Sequence, residues 1–432
     1  MDRCKNYTNN ALVYVLNKFI YRKLFKIFFF LVFFNVETKA LGVLTHEAII
    51  DAAWEKSILP LLRSKYPSST PEQFLEAHAY AYGGAVAPDM GYYPFGNPFF
   101  TDLIHYVRSG DIVKALLDEA QTLNELAFAV GFLAHYNADN HGHPGATNIS
   151  VPLVYPKMQK KFGDTVTYAE NKISHMRMEF GFDVLQTARG NYASKDYHDF
   201  ICCKVDMALF ARAFYKTYGL NVYEIFNNHL AFTVESFRFM VANVFPLITK
   251  TAWARKKSDI RKLDSTATIT RIVYKNRIKD YNKEFGKGYQ GPGFFSTTLS
   301  VFIRVIPKIG PFRALKFKVP VKEAESYFAA SFDSIVNSLN RDVNALKNSA
   351  FEIDNYDYDT GNPTKHCEYE LADGAYSEWL LKLRKRDFQT ASPSIKNNIR
   401  EYYAGFRTMP PKNKCKRCEK VFTAIRELRN LK

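Results

Sequence analysis

Beyond residue 40 the apolar residues recur at three- and four-residue spacing, with almost no apolar–polar alternation, so the pattern predicts an all-α, multi-helical protein. A first helix buries Ile49, Ile50, Ala53 and Trp54. A second opens at Thr70-Pro71-Glu72-Gln73, an N-cap with proline in the first turn and a capping-box glutamine, and runs to about Tyr82. A central helix starts at Thr122, where a T-x-x-E box with Glu125 precedes the stripe Leu126, Ala129, Val130 and Leu133. Gly142 and Pro144 are expected to stop it. Another helix covers about residues 169–186, with Ile173, Met176, Phe180 and Val184 as its packing face. Helical spacing continues over residues 197–218, 223–254, 321–347 and 370–385, and no internal repeat interrupts it.

Between the second and central helices, glycine and proline mark residues 83–89 and 92–100 as loop. The latter stretch carries five aromatics, Tyr92, Tyr93, Phe95, Phe99 and Phe100, which either rim a cleft or close the core beneath it. Residues 250–287 are basic and read as a solvated face, glycines between 286 and 293 break the chain, and the tail after Pro410 is basic again.

The first forty residues differ from the rest. Lys18, Arg22, Lys23 and Lys26 precede an apolar run from Ile27 to Phe34, and the stretch closes on Thr38-Lys39-Ala40, so a secretory signal cleaved near Ala40 is expected, with an uncleaved anchor as the other reading. The protein would then be secreted or periplasmic, and no later stretch reads as long and apolar enough to span a membrane. Three segments follow: residues 1–40 as leader, 41–190 as a core, and 191–432 as a helical C-terminal extension. With 432 residues, 47% of them hydrophobic, the chain can bury a sizeable core. Its net charge is +16, of which +11 remains after the leader, a balance that suits anionic lipid and nucleic acid equally. The cysteines decide little. Adjacent Cys202 and Cys203 suit core packing, and Cys415-Lys-Arg-Cys418 reads as a small disulfide or two thiols.

The chemistry concentrates in residues 131–144, Gly-Phe-Leu-Ala-His-Tyr-Asn-Ala-Asp-Asn-His-Gly-His-Pro. His135 and Asp139, four apart on a helix, leave the same face, and His141 and His143 follow within one turn. The 169–186 helix repeats the spacing with His175 and Glu179, and Asp183 stands a turn further on. Two helices each presenting an acid and a histidine inward is how metal-binding bundles are built, and nitrogen and oxygen donors suit zinc. His78 has no acid or histidine one turn away and reads as core or groove lining.

The order His46, Asp89, His105, His135-x3-Asp139, His143, His175-x3-Glu179 over residues 41–186 resembles the zinc-dependent phospholipase C superfamily, which also contains single-strand-specific zinc nucleases. The resemblance implies an all-helical fold and three zinc ions in one cleft. It implies that Asp139 bridges two ions, one held with His135, Asp89 and His105, the other with His46 and the amino terminus at Leu41. His143, His175 and Glu179 would hold the third. The chain departs from the family pattern twice. Leu41 stands where the family often has tryptophan, which keeps backbone ligation but loses a ring contact. Asp139 and His143 are closer together than in the best-known secreted members, so His141 competes with His143 as the ligand, and His143 is preferred.

By the same resemblance the expected activity is metal-assisted hydrolysis of a phosphate ester, with Asp89 orienting or deprotonating the attacking water. The expected substrate is a phospholipid, with peripheral membrane contact through the aromatic loop. The alternatives are a nuclease or nucleotidase acting on single-stranded nucleic acid, and a zinc-stabilised binding protein without turnover. No protein partner is implied.

Overall fold

A computed structural model describes residues 42–192, 203–264, 315–406 and 416–431. The leader, Leu41, the glycines at 286–293 and the start of the helix expected at 197–218 lie outside the described residues. Among those described, the architecture is all-helical, and the nearest approach to a strand is an isolated antiparallel bridge between Tyr356 and Pro363.

The helices α1 (Val43–Ala53), α2 (Leu59–Lys65), α3 (Pro71–Val86), α4 (Pro98–Tyr106), α5 (Ser109–Glu119) and α6 (Leu123–Gly142) build the first half. Both expected capping boxes form: Thr70 and Gln73 exchange hydrogen bonds at the start of α3, and Thr122 and Glu125 do so at the start of α6. Helix α6 is the axis of the fold. It is buried on nearly every side from Ala127 to Asn140, which is why its sequence is barely amphipathic.

Its closest neighbour is α3, and two glycines allow the approach. A Cβ on Gly84 would lie 2.0 Å from the Phe128 carbonyl oxygen, and one on Gly131 would lie 2.0 Å from that of Ala81. Backbone meets backbone at this crossing, so no side chain can yield.

Helix α6 does not stop where glycine and proline suggest. A π-helical turn, His143–Thr147, carries it into α7 (Asn148–Val154). Pro144 has no N–H to place in the helical ladder, and the wider turn, in which Asn148 N–H reaches the His143 carbonyl, takes up the ring without breaking the axis. After α8 (Pro156–Phe162) comes α9 (Lys172–Arg189), and then α10 (Met207–Tyr218).

The helix expected over 223–254 is broken. A short α11 (Val222–Ile225) ends where Asn227 and Asn228 turn left-handed, and α12 (Leu230–Phe239) begins afresh. It runs through a π-helical turn, Met240–Val244, into α13 (Phe245–Asp264). Contrary to the sequence reading, Leu230–Lys262 is long and apolar enough to cross a membrane by length and composition. A core helix passes the same test. Here Phe237 and Phe245 pack edge-on against Tyr93, and α13 lies along α9.

The C-terminal half returns to the same axis. Helix α14 (Lys322–Lys347) lies on α6 and α1, and α15 (Glu370–Arg384) packs on α4. Two short helices, α16 (Pro393–Tyr402) and α17 (Lys416–Asn430), close the chain. Cys203 is buried, as core packing requires, and Cys418 is held in a disulfide.

The aromatic loop is the clearest departure from a lipid-facing expectation. Tyr92, Tyr93, Phe99 and Phe100 are buried, and only Phe95 is exposed, edge-on to Phe232 at 4.6 Å. These rings close the core because the segment is anchored at one end by a 3-10 turn (Ala87–Tyr92) and at the other by the first turn of α4, both packed inward.

The glycine crossing gives the first prediction. Gly131→Ala should cost about 3 kcal/mol or more, the upper end of overpacking, because the new methyl meets a carbonyl. Urea denaturation measures this, and a midpoint equal to wild type would show that α3 and α6 can part freely.

Candidate metal centre

Six segments deliver the expected side chains to one place. His46 comes from α1, Asp89 from the 3-10 turn, His105 from α4, His135 and Asp139 from α6, His143 from the π-helical turn, and His175 and Glu179 from α9. All eight residues are between 0% and 4% exposed. Asp183 ties in α1: its Oδ1 accepts from Thr45 N at 3.1 Å and Thr45 Oγ1 at 2.7 Å, and its Oδ2 from Leu44 N at 3.3 Å. Those N–H groups belong to the open first turn of α1, and a buried carboxylate is a natural cap for them. Burial pushes the Asp183 carboxyl up to about 7 despite these bonds.

The ring orientations are set from behind. His105 Nδ1 lies 2.9 Å from Thr101 O, and His135 Nδ1 lies 2.9 Å from Ala85 O. A carbonyl can only accept, so each Nδ1 carries the proton and each Nε2 turns a lone pair inward. The ring of His46 stacks on His135 at 4.4 Å. In α9 the roles reverse: His175 Nε2 faces Asn148 Oδ1 at 2.9 Å, leaving Nδ1 toward Glu179 Oε1 at 2.9 Å.

Asp139 is the hub. Its Oδ2 lies 3.1 Å from His135 Nε2 and 3.3 Å from His105 Nε2. Its Oδ1 lies 3.5 Å from His46 Nε2 and 3.8 Å from His143 Nε2. His105 Nε2 is also 3.4 Å from Asp89 Oδ1 and 3.5 Å from His135 Nε2, and His143 Nε2 is 3.4 Å from Glu179 Oε1. Three groups have donor atoms within 4.8 Å of one another: His46, Asp89 and His135; His105, His135 and Asp139; and His143, His175 and Glu179.

These distances fit a metal better than a hydrogen-bond network. Most are long for N–H···O bonds, whereas donors about 2.0–2.1 Å from one tetrahedral zinc stand roughly 3.3 Å apart. Both nitrogens of His46, Nε2 of His143, both carboxylate oxygens of Glu179, and Oδ1 of Asp89 and of Asp139 are buried without a hydrogen bond. Orphaned buried acceptors are expensive unless a proton or a cation sits between them.

The titration shifts express the same need. Burial lowers His105, but Asp139 and Asp89 beside it outweigh that and push it up to about 10. His143 is driven well above the usual imidazole range, its burial overcome by Asp139, Asp359 and Glu179. His46 goes well below that range through burial and the neighbouring His135. Burial would raise the Asp139 carboxyl, yet the surrounding imidazoles hold it well below the carboxylate range. For Asp89 burial wins, and its carboxyl is raised.

The structure brings His143 into the cluster and leaves His141 out: His141 is half-buried, with Nε2 3.3 Å from Ser338 Oγ. His78 lines a cavity of about 440 Å³ away from this centre, stacked on Trp54 and 3.2 Å from Asp51. Two residues that hold the cluster escaped sequence reasoning, Asn148 behind His175 and Asp359, whose Oδ1 lies 3.1 Å from His143 Nδ1, and Asp183, a turn beyond Glu179, serves as a cap. Asp357-Tyr358-Asp359-Thr360-Gly361 does carry a turn signature, but nothing local ties it to a histidine two hundred residues earlier.

A cluster this short of positive charge should be stabilised by zinc. Each site held at 1,000 times its Kd adds about 4 kcal/mol. Thermal unfolding should therefore move up with micromolar zinc and down with chelator, and an unchanged midpoint would contradict metal binding by the folded state.

Residues 45–228 match the family model described as zinc dependent phospholipase C. No curated protein and no solved structure matches the chain. The matched span contains all eight clustered residues and stops well short of Asp359. The family match, the all-helical fold and the buried nitrogen and oxygen donors agree: the protein carries a zinc-dependent phospholipase C-like domain.

Proposed function

We propose that the protein is a zinc-dependent phosphodiesterase that hydrolyses phospholipid headgroup esters. One observation carries most of this reading: the two oxygens of Asp139 face different pairs of imidazoles, His105 with His135 and His46 with His143. A carboxylate so placed suits a bridge between two cations, and paired metal ions are suited to phosphate-ester hydrolysis. On this reading His105, His135 and Asp89 hold one ion with Asp139, and His46 holds the second with the amino end of a chain starting at Leu41. His143, His175 and Glu179 hold the third. The family match favours phospholipid over nucleic acid as the substrate class.

When bound, zinc supplies positive charge to phosphate oxygens and brings the pKa of water to about 7. The chain's own residues do the rest. Asp89 is the assigned base. Its turn is braced by Thr101, whose Oγ1 donates to Pro88 O at 2.7 Å and accepts from Gly91 N at 3.0 Å. Its Oδ1 accepts no hydrogen bond and its carboxyl is raised by burial, so it can orient a water and hold the proton it gives up. The rings of His105 and His135 turn Nε2 toward the centre because their far nitrogens are committed to backbone carbonyls.

Asp89→Asn should lower kcat by about 100-fold or more while most of the zinc stays bound, and unchanged turnover would remove the base assignment. Phosphatidylcholine vesicles and single-stranded DNA, each with and without chelator, test the substrate. Chelator-sensitive release of phosphocholine is expected. Cleavage of DNA alone would make the protein a nuclease, and full zinc occupancy with neither reaction would make it a binding protein. We further propose that residues 1–40 are an export leader and that the working protein is secreted or periplasmic. Intact mass of exported protein should then begin at Leu41, and a retained leader would remove the amino-terminal ligand.

A further inference from the structure

Residues 354–364, Asp-Asn-Tyr-Asp-Tyr-Asp-Thr-Gly-Asn-Pro-Thr, lie beyond the family match and fold into a tight turn over the metal centre. Asp357 N donates to Asn362 O and Gly361 N to Asp357 O, both at 2.8 Å. The Asp357 carboxylate accepts from Asp359 N at 2.9 Å and Thr360 N at 3.2 Å. The turn is fastened to the helices that carry the ligands. Tyr358 N donates to His105 O at 3.2 Å, and Asn355 Oδ1 accepts from Gly110 N at 2.9 Å at the start of α5. Gly361 has φ +68°, and a Cβ there would stand 2.6 Å from Asn140 O on α6, so the turn can sit this close only with glycine.

This placement delivers Asp359 to the back of His143. Asp359 Oδ1 makes a 3.1 Å ion-pair contact with His143 Nδ1, on the opposite edge of the ring from Glu179. Its Oδ2 accepts from Tyr106 at 2.7 Å and Tyr369 at 2.6 Å, which hold the carboxylate in place. Its backbone carbonyl accepts from Asn148 Nδ2 at 2.7 Å, and that bond turns Asn148 Oδ1 to His175 Nε2 at 2.9 Å. One short turn therefore addresses both imidazoles of the third group, one directly and the other through Asn148.

We propose that Asp359 is the positioning carboxylate of the His143, His175 and Glu179 site. It keeps the His143 proton on Nδ1, leaves the Nε2 lone pair facing Glu179, and through Asn148 keeps Nδ1 of His175 as the donor. It is not itself a ligand, because it meets the edge of His143 that faces away from the acids of the cluster. His105 and His135 have only neutral carbonyls behind them, so His143 is the more basic donor of the three. The inference rests on the zinc reading above and adds to it a residue from outside the family match.

The test uses the full chain. In zinc-loaded wild type, long-range 1H–15N NMR on 15N-histidine protein should find the His143 proton on Nδ1, and a proton on Nε2 overturns the assignment. This readout needs no variant. Asp359→Asn should keep its helical circular dichroism and yield one zinc to a chromophoric chelator about 10–100-fold more readily than wild type, with the other zinc held as before. Identical zinc release from Asp359→Asn and wild type overturns the proposal. Wild-type protein that binds no zinc refutes instead the reading beneath it.

Discussion

Acceptor faces acceptor around Asp139. Two of its imidazole neighbours have their far nitrogens committed to backbone carbonyls, so their lone pairs point at a carboxylate that can only accept. Out of contact with water, such a set is repulsive unless positive charge enters it. A proton on His105 is one remedy, and a divalent cation is a better one because it satisfies several donors at once. The same conflict recurs at Glu179, whose oxygens have two imidazoles near and no hydrogen bond.

The fold maintains this conflict by fixing backbones rather than side chains. The glycine crossing of α3 and α6 sets Ala85 O at the back of His135, so helix packing and ring tautomer are one constraint. The π-helical turn keeps His143 in helical register with Asp139, four residues before it, where a chain leaving the helix would have lost it. Asp183 draws the first turn of α1 to α9, which places His46 within reach of the hub. Each device lies one step behind a ligand, and each is buried.

What was legible in the sequence was local. Capping boxes, the i,i+4 pairs His135–Asp139 and His175–Glu179, and apolar stripes at helical spacing are written within one or two turns, and all three appear in the structure. Local rules failed where tertiary packing overruled them. Gly142 and Pro144 suggested a stop, but a wider turn absorbed the proline. The aromatics of residues 92–100 left a cleft rim and the core both open, and packing between helices makes four of the five core. Asn148 and Asp359 were invisible for another reason. Their partners are fixed by where distant segments meet, and no spacing along the chain encodes that.

The central claim is that this buried set of acids and imidazoles is built around cations. Anomalous diffraction from crystals of the protein grown with zinc, recorded on both sides of the zinc edge, tests it most directly. The account predicts peaks between Asp139 and its imidazoles and beside Glu179. Density without anomalous peaks, in which the histidine Nε2 atoms have closed to hydrogen-bond distance on the carboxylates, would contradict it.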